Sequence, residues 1–165
     1  MYSLSGYCII RNPHEEIAMP FTKEDIVLAT MAAGGEGARF EPVQIQKILF
    51  LIDEKVSRSV QSVGGPHFNF QPYDYGPFDR DVYRVLDSLS DKGEVSTAPV
   101  RWYCDYGLTS QGYEKGQKNL DLLGDRAKKE IGKVVEWASR VSFDELVSTI
   151  YQQYPKMKKR SVFRA

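Results

Sequence analysis

The segment from Phe68 to Val95, FNFQPYDYGPFDRDVYRVLDSLSDKGEV, joins an aromatic loop to an amphipathic helix. The dipeptide Gly76-Pro77 predicts a turn within the loop, because glycine and proline both interrupt regular structure. Asp79 suits the N-cap of the following helix, in which apolar residues recur at intervals of three and four. Lys92-Gly93 indicates the end of that helix and the start of a strand. We therefore expect the other elements to pack around this segment.

Two helices are predicted before this segment, with residues 36–40 as a short connector between them. Thr22 is a suitable N-cap for the first helix, and a glycine pair follows its last apolar residue. Pro42 suits the first turn of the second helix, whose apolar residues repeat at helical spacing. We expect Gln44 and Lys47 to lie on the opposite, solvent-facing side of this second helix.

A β-hairpin and a short helix are predicted next along the chain. The strands are expected at residues 94–97 and 102–108, with a turn at residues 98–101 between them. Thr109 is predicted to cap a short helix at residues 110–114. A helix, a hairpin and a Leu-Thr-x-x-Gly helix start together resemble a winged-helix module. The side chains expected on one face of the second strand are Trp102, Cys104, Tyr106 and Leu108.

The C-terminal third is predicted to form two further helices. An apolar stripe at helical spacing runs from Ala127 to Ala138. Ser142 and Glu145 have the spacing of a capping box at the start of the last helix, and Pro155 ends that helix. The expected fold class is therefore mainly α (α+β), a winged-helix-like helical domain with a small β-hairpin and C-terminal helices.

Length and composition fit one domain with short extensions. The chain has 165 residues, of which 42% are hydrophobic and 27% charged, and such a chain can bury a core without disulfides or metals. We expect an N-terminal arm at residues 1–20, a helical domain at residues 21–155 and a basic tail at residues 156–165. The tail is expected to be solvated, as charged chain ends usually are.

Charge and cysteine content narrow the classes of function. Lys and Arg together number 22, as do Asp and Glu, so the net charge is zero, whereas nucleic-acid binders usually carry a basic excess. Cys8 and Cys104 are far apart and form neither a disulfide framework nor a metal-binding pattern, which predicts a reduced, cytoplasmic protein. No apolar run approaches the roughly 20 residues that span a bilayer, so no membrane association is expected.

No recognisable catalytic motif occurs in the sequence. The two histidines, His14 and His67, lie in predicted loops without the partners that nucleophilic catalysis needs. Asp74, Asp79 and Asp81 could offer oxygen ligands to a divalent cation, but helix capping explains them at least as well. We therefore expect a protein that is not an enzyme and that has no cofactor or metal.

The aromatic loop admits two interpretations, core filling or recognition. Its rings can plug the core, or Tyr73 and Tyr75 can face a partner, since tyrosine is enriched at protein interfaces. The residues predicted to bind a protein partner are Tyr73, Asp74, Tyr75, Gly76, Pro77 and Phe78.

In the alternative, the second helix of a helix-turn-helix pair enters the major groove of DNA. The residues predicted for that contact are Gln44, Lys47, Arg101, Lys158, Lys159 and Arg160.

Two short motifs resemble the Panacea, or SocA-like antitoxin, domain family. The segment KILFL, Lys47 to Leu51, matches the Lys-[Leu/Ile]-[Leu/Phe]-[Tyr/Phe]-Leu helix of that family, and Tyr75-Gly76-Pro77 matches its Tyr-Gly-Pro loop. The ending ELVSTIYQQYP also resembles a C-terminal helix of related proteins, so the similarity covers roughly residues 21–155. This chain has Asp74 where many members have lysine.

The resemblance implies a mostly helical domain of prokaryotic or phage origin without catalytic residues. Many members neutralise a companion toxin by direct binding, and some deliver it to a protease. The expected partner is therefore a protein, such as a toxin encoded nearby, and DNA is the alternative. Association into a homo-oligomer stays open.

Overall fold

Two helices begin at residues whose side chains were predicted to cap them, Thr22 and Asp79. The computed structural model describes residues 19–164, so the first 18 residues of the predicted N-terminal arm lie outside the described residues. Thr22 Oγ1 accepts a hydrogen bond from the Asp25 N–H, and the Asp25 carboxylate accepts one from the Thr22 N–H, which completes a capping box. Asp79 Oδ1 accepts from the Asp81 N–H at the start of a later helix. Both predicted caps are confirmed.

The described residues form six α-helices and five strands, which confirms the mainly α (α+β) class. The helices are α1 (Lys23–Ala32), α2 (Pro42–Ser62), α3 (Arg80–Asp91), α4 (Ser110–Leu123), α5 (Asp125–Arg140) and α6 (Phe143–Gln153), followed by a 3-10 turn at Pro155–Lys158. The strands are β1 (Arg39–Phe40), β2 (Gln71–Tyr73), β3 (Gly76–Phe78), β4 (Val95–Val100) and β5 (Tyr103–Leu108). No helix within residues 19–164 combines the length and the apolar character that crossing a membrane requires.

A three-stranded antiparallel sheet has the strand order β1-β5-β4. β1 contains only Arg39 and Phe40, which pair with Gly107 and Tyr106 of β5. The sequence predicted a connector at this place, because two residues cannot display an alternating pattern. Since α1, α2 and α3 precede the β4–β5 hairpin, the sheet completes the winged-helix-like arrangement that was expected.

The β4–β5 hairpin, named the wing, has a tighter turn than the sequence predicts. Val100 and Tyr103 pair directly, so only Arg101 and Trp102 form the turn. Arg101 adopts a positive φ of 54°, which closes the hairpin over two residues. The expected placement of Trp102 on a strand face is therefore wrong, because this residue lies at the wing tip with 88% of its surface exposed.

A second, two-stranded hairpin forms inside the aromatic loop and is named the Tyr-Gly-Pro hairpin. In it β2 and β3 pair antiparallel, with Tyr73 opposite Gly76 and Pro72 opposite Pro77. The sequence predicted only a turn here, with an extended piece at residues 68–71, since proline disfavours strand pairing. The two prolines sit opposite each other in a ladder with three residues on each side.

The core is built around α1 and α2. Every residue from Ile26 to Ala32 in α1 is buried, and so is every residue from Ile45 to Ile52 in α2. α4 packs against α1, and α5 packs against α2. Neighbouring elements cover every side of these two segments, so the polar Gln46 and Lys47 are buried along with the apolar residues.

α4 is longer than the sequence predicts, because packing against α1 outweighs helix propensity. The prediction ended at residue 114, whereas the helix continues to Leu123. Gly116 lowers the helix propensity of the segment but permits a close approach of the two helices. A Cβ atom at Gly116 would lie 2.4 Å from the Leu28 carbonyl oxygen and 2.7 Å from the Ala32 Cβ.

Gly116→Ala is expected to lower the free energy of unfolding by about 2 kcal/mol or more, because the added methyl group collides with the α1 backbone. Gly132 in α5 is the matched control, since a Cβ atom there meets nothing within 4 Å. Gly132→Ala is expected to raise the free energy of unfolding by up to about 1 kcal/mol, through higher helix propensity. Urea unfolding measures both changes. A neutral Gly116→Ala would contradict the close packing of α4 on α1.

Candidate protein-binding site

The Tyr-Gly-Pro hairpin carries two exposed aromatic side chains at its tip. Tyr73 and Tyr75 are 50% and 45% exposed, and Asp74 between them is also exposed. The Tyr73 ring stacks on Phe78 with 5.1 Å between ring centroids, and the Tyr75 ring meets Phe143 of α6 edge-on at 5.6 Å. Each tyrosine is therefore held against the protein while about half of its surface remains accessible.

The remaining residues predicted to bind a partner lie deeper in the structure. Gly76 and Pro77 are buried, and Phe78 is half-buried against Tyr83. Gly76 has a φ of 92°, and a Cβ atom there would lie 3.3 Å from the Tyr151 ring of α6. Gly76 and Pro77 thus are not part of the exposed tip, which corrects their expected place. They shape and anchor the hairpin.

Two polar side chains of α2, Gln46 and Lys47, hold the base of the hairpin and are named the α2 clamp. Gln46 Oε1 accepts from the Asp79 N–H at 3.1 Å, and Gln46 Nε2 donates to the Asp79 carbonyl oxygen at 2.9 Å. Lys47 Nζ donates to the Pro77 carbonyl oxygen at 3.0 Å. These bonds satisfy buried backbone groups at the end of the short β-ladder, where no further strand is available.

Burial of the α2 clamp corrects the expectation that Lys47 faces solvent. Gln46 and Lys47 are 1% and 3% exposed, because the hairpin covers the side of α2 that the apolar repeat leaves polar. One signal in the sequence could have indicated this burial. The clamp residues lie inside the apolar run from Ile45 to Ile52, and a polar side chain in such a run needs a buried hydrogen-bond partner.

Asp79 connects the entry of the aromatic loop to the start of α3. Its Oδ2 accepts from the Asn69 N–H at 2.7 Å, in addition to the cap bond with Asp81. The Asp81 carboxylate pairs with Lys23 Nζ at 2.8 Å, and this hydrogen bond lowers the pKa of Asp81. Capping and ion pairing therefore account for both aspartates. In the described part of the chain, no three His, Cys, Asp or Glu side chains are grouped for a metal ion.

The C-terminal segment Pro155–Arg164, named the C-terminal strap, binds the tip of the hairpin. The Val162 N–H donates to the Asp74 carbonyl oxygen at 2.9 Å. The Tyr151 hydroxyl donates to Ser161 Oγ at 2.6 Å. The expectation of a solvated tail is therefore wrong for Ser161 and Phe163, which are half-buried, whereas the basic side chains of the segment are exposed as expected. Ser161, Val162 and Phe163 of the strap contact the hairpin or α6, and the 3-10 turn at Pro155–Lys158 packs against both as well.

A hollow of about 190 Å³ lies beside the Lys47 side chain. Its walls come from α2, the hairpin and α3, and they include Tyr73, Tyr75 and Tyr83. Burial lowers the pKa of Lys47 from its ordinary 10.5 to about 8, and burial also raises the pKa of Tyr83. The hollow therefore combines aromatic walls with a buried cation.

The residues predicted to contact DNA lie on separate elements. Lys47 is buried, and Gln44 Nε2 donates to the Ala138 carbonyl oxygen of α5 at 3.1 Å. Arg101 is exposed at the wing tip. Lys158, Lys159 and Arg160 are exposed on the C-terminal strap, as are its other basic residues, Lys156 and Arg164. The structure therefore does not present Gln44 and Lys47 on a free face of α2.

No protein-family model matches the sequence, and no curated protein matches it either. The resemblance to the Panacea family accordingly stays a prediction based on short motifs. The structure brings the two motifs that carry it into contact, because Lys47 of KILFL donates to the carbonyl oxygen of Pro77 in Tyr-Gly-Pro.

Lys47→Met tests whether burial of the charged Lys47 ammonium lowers the free energy of unfolding. The Lys47 ammonium loses its proton near pH 8 in the folded protein but only near the ordinary pKa of 10.5 in the unfolded chain. Burial of Lys47 therefore lowers the free energy of unfolding in full below about pH 8. This destabilisation disappears as the pH rises from 8 to 10.5. The resulting gain in the free energy of unfolding is on the order of 3 kcal/mol, and Lys47→Met abolishes it. Urea unfolding of both proteins across this pH range measures the difference.

Lys55→Met is the matched control, because Lys55 is an exposed lysine on the same helix. The free energy of unfolding of Lys55→Met is expected to change with pH as that of the wild type does. Parallel pH profiles for the wild type and Lys47→Met would contradict a buried, charged Lys47.

Proposed function

We propose that this chain is a non-enzymatic, antitoxin-like protein-binding module that neutralises a partner protein, or delivers it elsewhere, by direct contact with the Tyr-Gly-Pro hairpin. The observation that carries the proposal is the exposed Tyr73-Asp74-Tyr75 tip on a hairpin whose base is fixed by buried hydrogen bonds. Tyrosine side chains contribute large contact areas, and they are among the residues that dominate binding energy at protein interfaces.

Pre-organisation of the tip supports recognition of a protein. Tyr73 already rests on Phe78, and Tyr75 already rests on Phe143. The backbone between them is bonded to the C-terminal strap through the Asp74 carbonyl oxygen. A partner that binds these tyrosines therefore does not have to pay the full entropy of ordering a flexible loop.

The resemblance to the Panacea family supports an antitoxin-like role. Lys47–Leu51 and Tyr75-Gly76-Pro77 carry the resemblance, and in this fold Lys47 of the first motif donates a hydrogen bond to the Pro77 carbonyl oxygen of the second. The motif includes Tyr75 of the tip but not Tyr73 or Asp74, which are therefore free to differ. Asp74, where many members have lysine, lies at that tip, so we assign partner choice to this position.

The wing gives duplex DNA as the alternative ligand. The strand order β1-β5-β4 is winged-helix-like, and the exposed Arg101 and Trp102 lie at the wing tip. In the predicted reading helix α2, however, Lys47 is buried and Gln44 is bonded to α5, so neither side chain faces phosphate. Protein binding is therefore the preferred proposal.

The double variant Tyr73→Ala/Tyr75→Ala is expected to lose binding to the protein encoded by the adjacent gene. Removal of two interface aromatics should weaken the complex by about 100-fold or more, and growth rescue in co-expression should fail. Trp102→Ala is the matched control, because it removes an exposed aromatic from the other hairpin. Calorimetric titration measures the affinities.

Two results would contradict protein binding at this tip. In the first, the double variant binds and rescues growth as the wild type does. In the second, the neighbouring protein does not bind, while fluorescence anisotropy shows salt-dependent binding of a labelled DNA duplex that Arg101→Ala weakens.

A further inference from the structure

We propose that the hollow beside Lys47 receives the carboxylate of an aspartate or glutamate side chain from the protein partner, which pairs with the Lys47 ammonium between the hairpin tyrosines. The assignment rests on the function proposed above and names the chemical group that the partner contributes. It gives Lys47 a binding role in addition to its bond with the Pro77 carbonyl oxygen.

Lys47 is a buried cation with hydrogen-bond donors to spare. An ammonium group has three N–H donors, and the Pro77 carbonyl oxygen is the one acceptor that Nζ contacts in the described part of the chain. By comparison, Lys23, Lys92 and Lys115 each pair with a carboxylate from another element. Among the described residues, no ion pair includes Lys47.

The energetics of an unpaired buried cation favour an anionic ligand. Removing an ammonium group from water costs several kcal/mol, and one carbonyl oxygen compensates only part of that cost. A carboxylate that enters the hollow attracts the ammonium in a medium of low polarity, where the attraction is stronger than at the surface. A neutral acceptor would supply a hydrogen bond without this attraction.

The shape of the hollow suits the end of a side chain. Its volume is about 190 Å³, and the surrounding rings of Tyr73, Tyr75 and Tyr83 can pack on methylene groups and exclude water. Asp74 also lines the hollow. Because Asp74 is exposed, solvent and salt screen its repulsion of an incoming acid, whereas the attraction of buried Lys47 is screened much less.

NMR of the full chain with ¹³Cε-labelled lysine tests the hollow without the partner. Sodium acetate is the probe, N-methylacetamide is the neutral control, and sodium phosphate is the control for a phosphate site. We expect saturating acetate to raise the Lys47 pKa by about one unit or more and to leave the Lys55 resonance unchanged. The assignment would be overturned if acetate left the Lys47 pKa unchanged. It would also be overturned if N-methylacetamide shifted this pKa as much as acetate does, or if phosphate shifted it more.

Binding to the product of the adjacent gene tests the role of the charge. Lys47→Gln keeps a donor for the Pro77 carbonyl oxygen without the charge, and Lys47→Met removes both. We expect each variant to fold and to bind at least about tenfold more weakly near neutral pH. Near-ultraviolet circular dichroism and the Asp79 amide resonance report whether the hairpin remains folded.

The pH dependence of affinity provides a second measurement. Wild-type affinity is expected to fall as the pH rises above about 8, because the free ammonium loses its proton. The affinity of Lys47→Met for the same protein should stay constant over this pH range. Tyr83→Phe is the control for titration of a neighbouring tyrosine and should retain the fall. The other titratable groups that line the hollow with Lys47 are Tyr73, Asp74, Tyr75 and Tyr83. Nearby, Asp79 bonds to Gln46 through its backbone, and Tyr151 of α6 lies against Gly76.

The outcomes separate the two proposals. If both Lys47 variants bind as tightly as the wild type and Tyr73→Ala/Tyr75→Ala does not, the carboxylate assignment is wrong and the proposed function stands. If the wild type does not bind the neighbouring protein, the proposed function is wrong, and the acetate titration decides only whether the hollow accepts a carboxylate.

Discussion

Hydrogen bonds from the α2 clamp to the backbone of Pro77 and Asp79 join the hairpin to the helical body. α2 packs against α5 on one side and against β3 of the hairpin on another. A two-stranded hairpin is marginally stable in water by itself, so its conformation depends on contacts with the helices. The clamp supplies the polar part of these contacts. Phe70, whose ring meets Phe50 edge-on at 5.6 Å, supplies an apolar part.

Hydrogen bonds fix the hairpin from three directions. α2 bonds to its base through Gln46 and Lys47, the capping carboxylate of Asp79 bonds to Asn69 at its entry, and the C-terminal strap bonds to its tip through Val162. Because these hydrogen bonds come from separate elements around the hairpin, they order the tip and leave its tyrosines exposed. Tyr73 can therefore be both ordered and exposed, which is the combination that a recognition surface requires.

Local features of this fold could be predicted from the sequence, and long-range features could not. The caps at Thr22 and Asp79 depend on neighbours within three residues, and the wing depends on two adjacent runs, so their signals are contained in short segments. β1, the burial of Lys47 and the docking of the strap each depend on a segment far away in the chain. For the site, the sequence indicated the tyrosines of the tip but not the clamp, because helical periodicity does not show that a loop will fold over a polar face.

Native-state hydrogen exchange of the Asp79 amide tests most directly whether the α2 clamp fixes the hairpin. Gln46→Ala removes the acceptor of this N–H, and Gln44→Ala is the matched control, because Gln44 lies on the same helix and bonds to α5 instead. We expect Gln46→Ala to accelerate exchange of the Asp79 amide and of the protected hairpin amides by about tenfold or more, with α1 and α4 unchanged. Exchange rates in the hairpin that are equal in Gln46→Ala, Gln44→Ala and the wild type would contradict a hairpin held by the clamp.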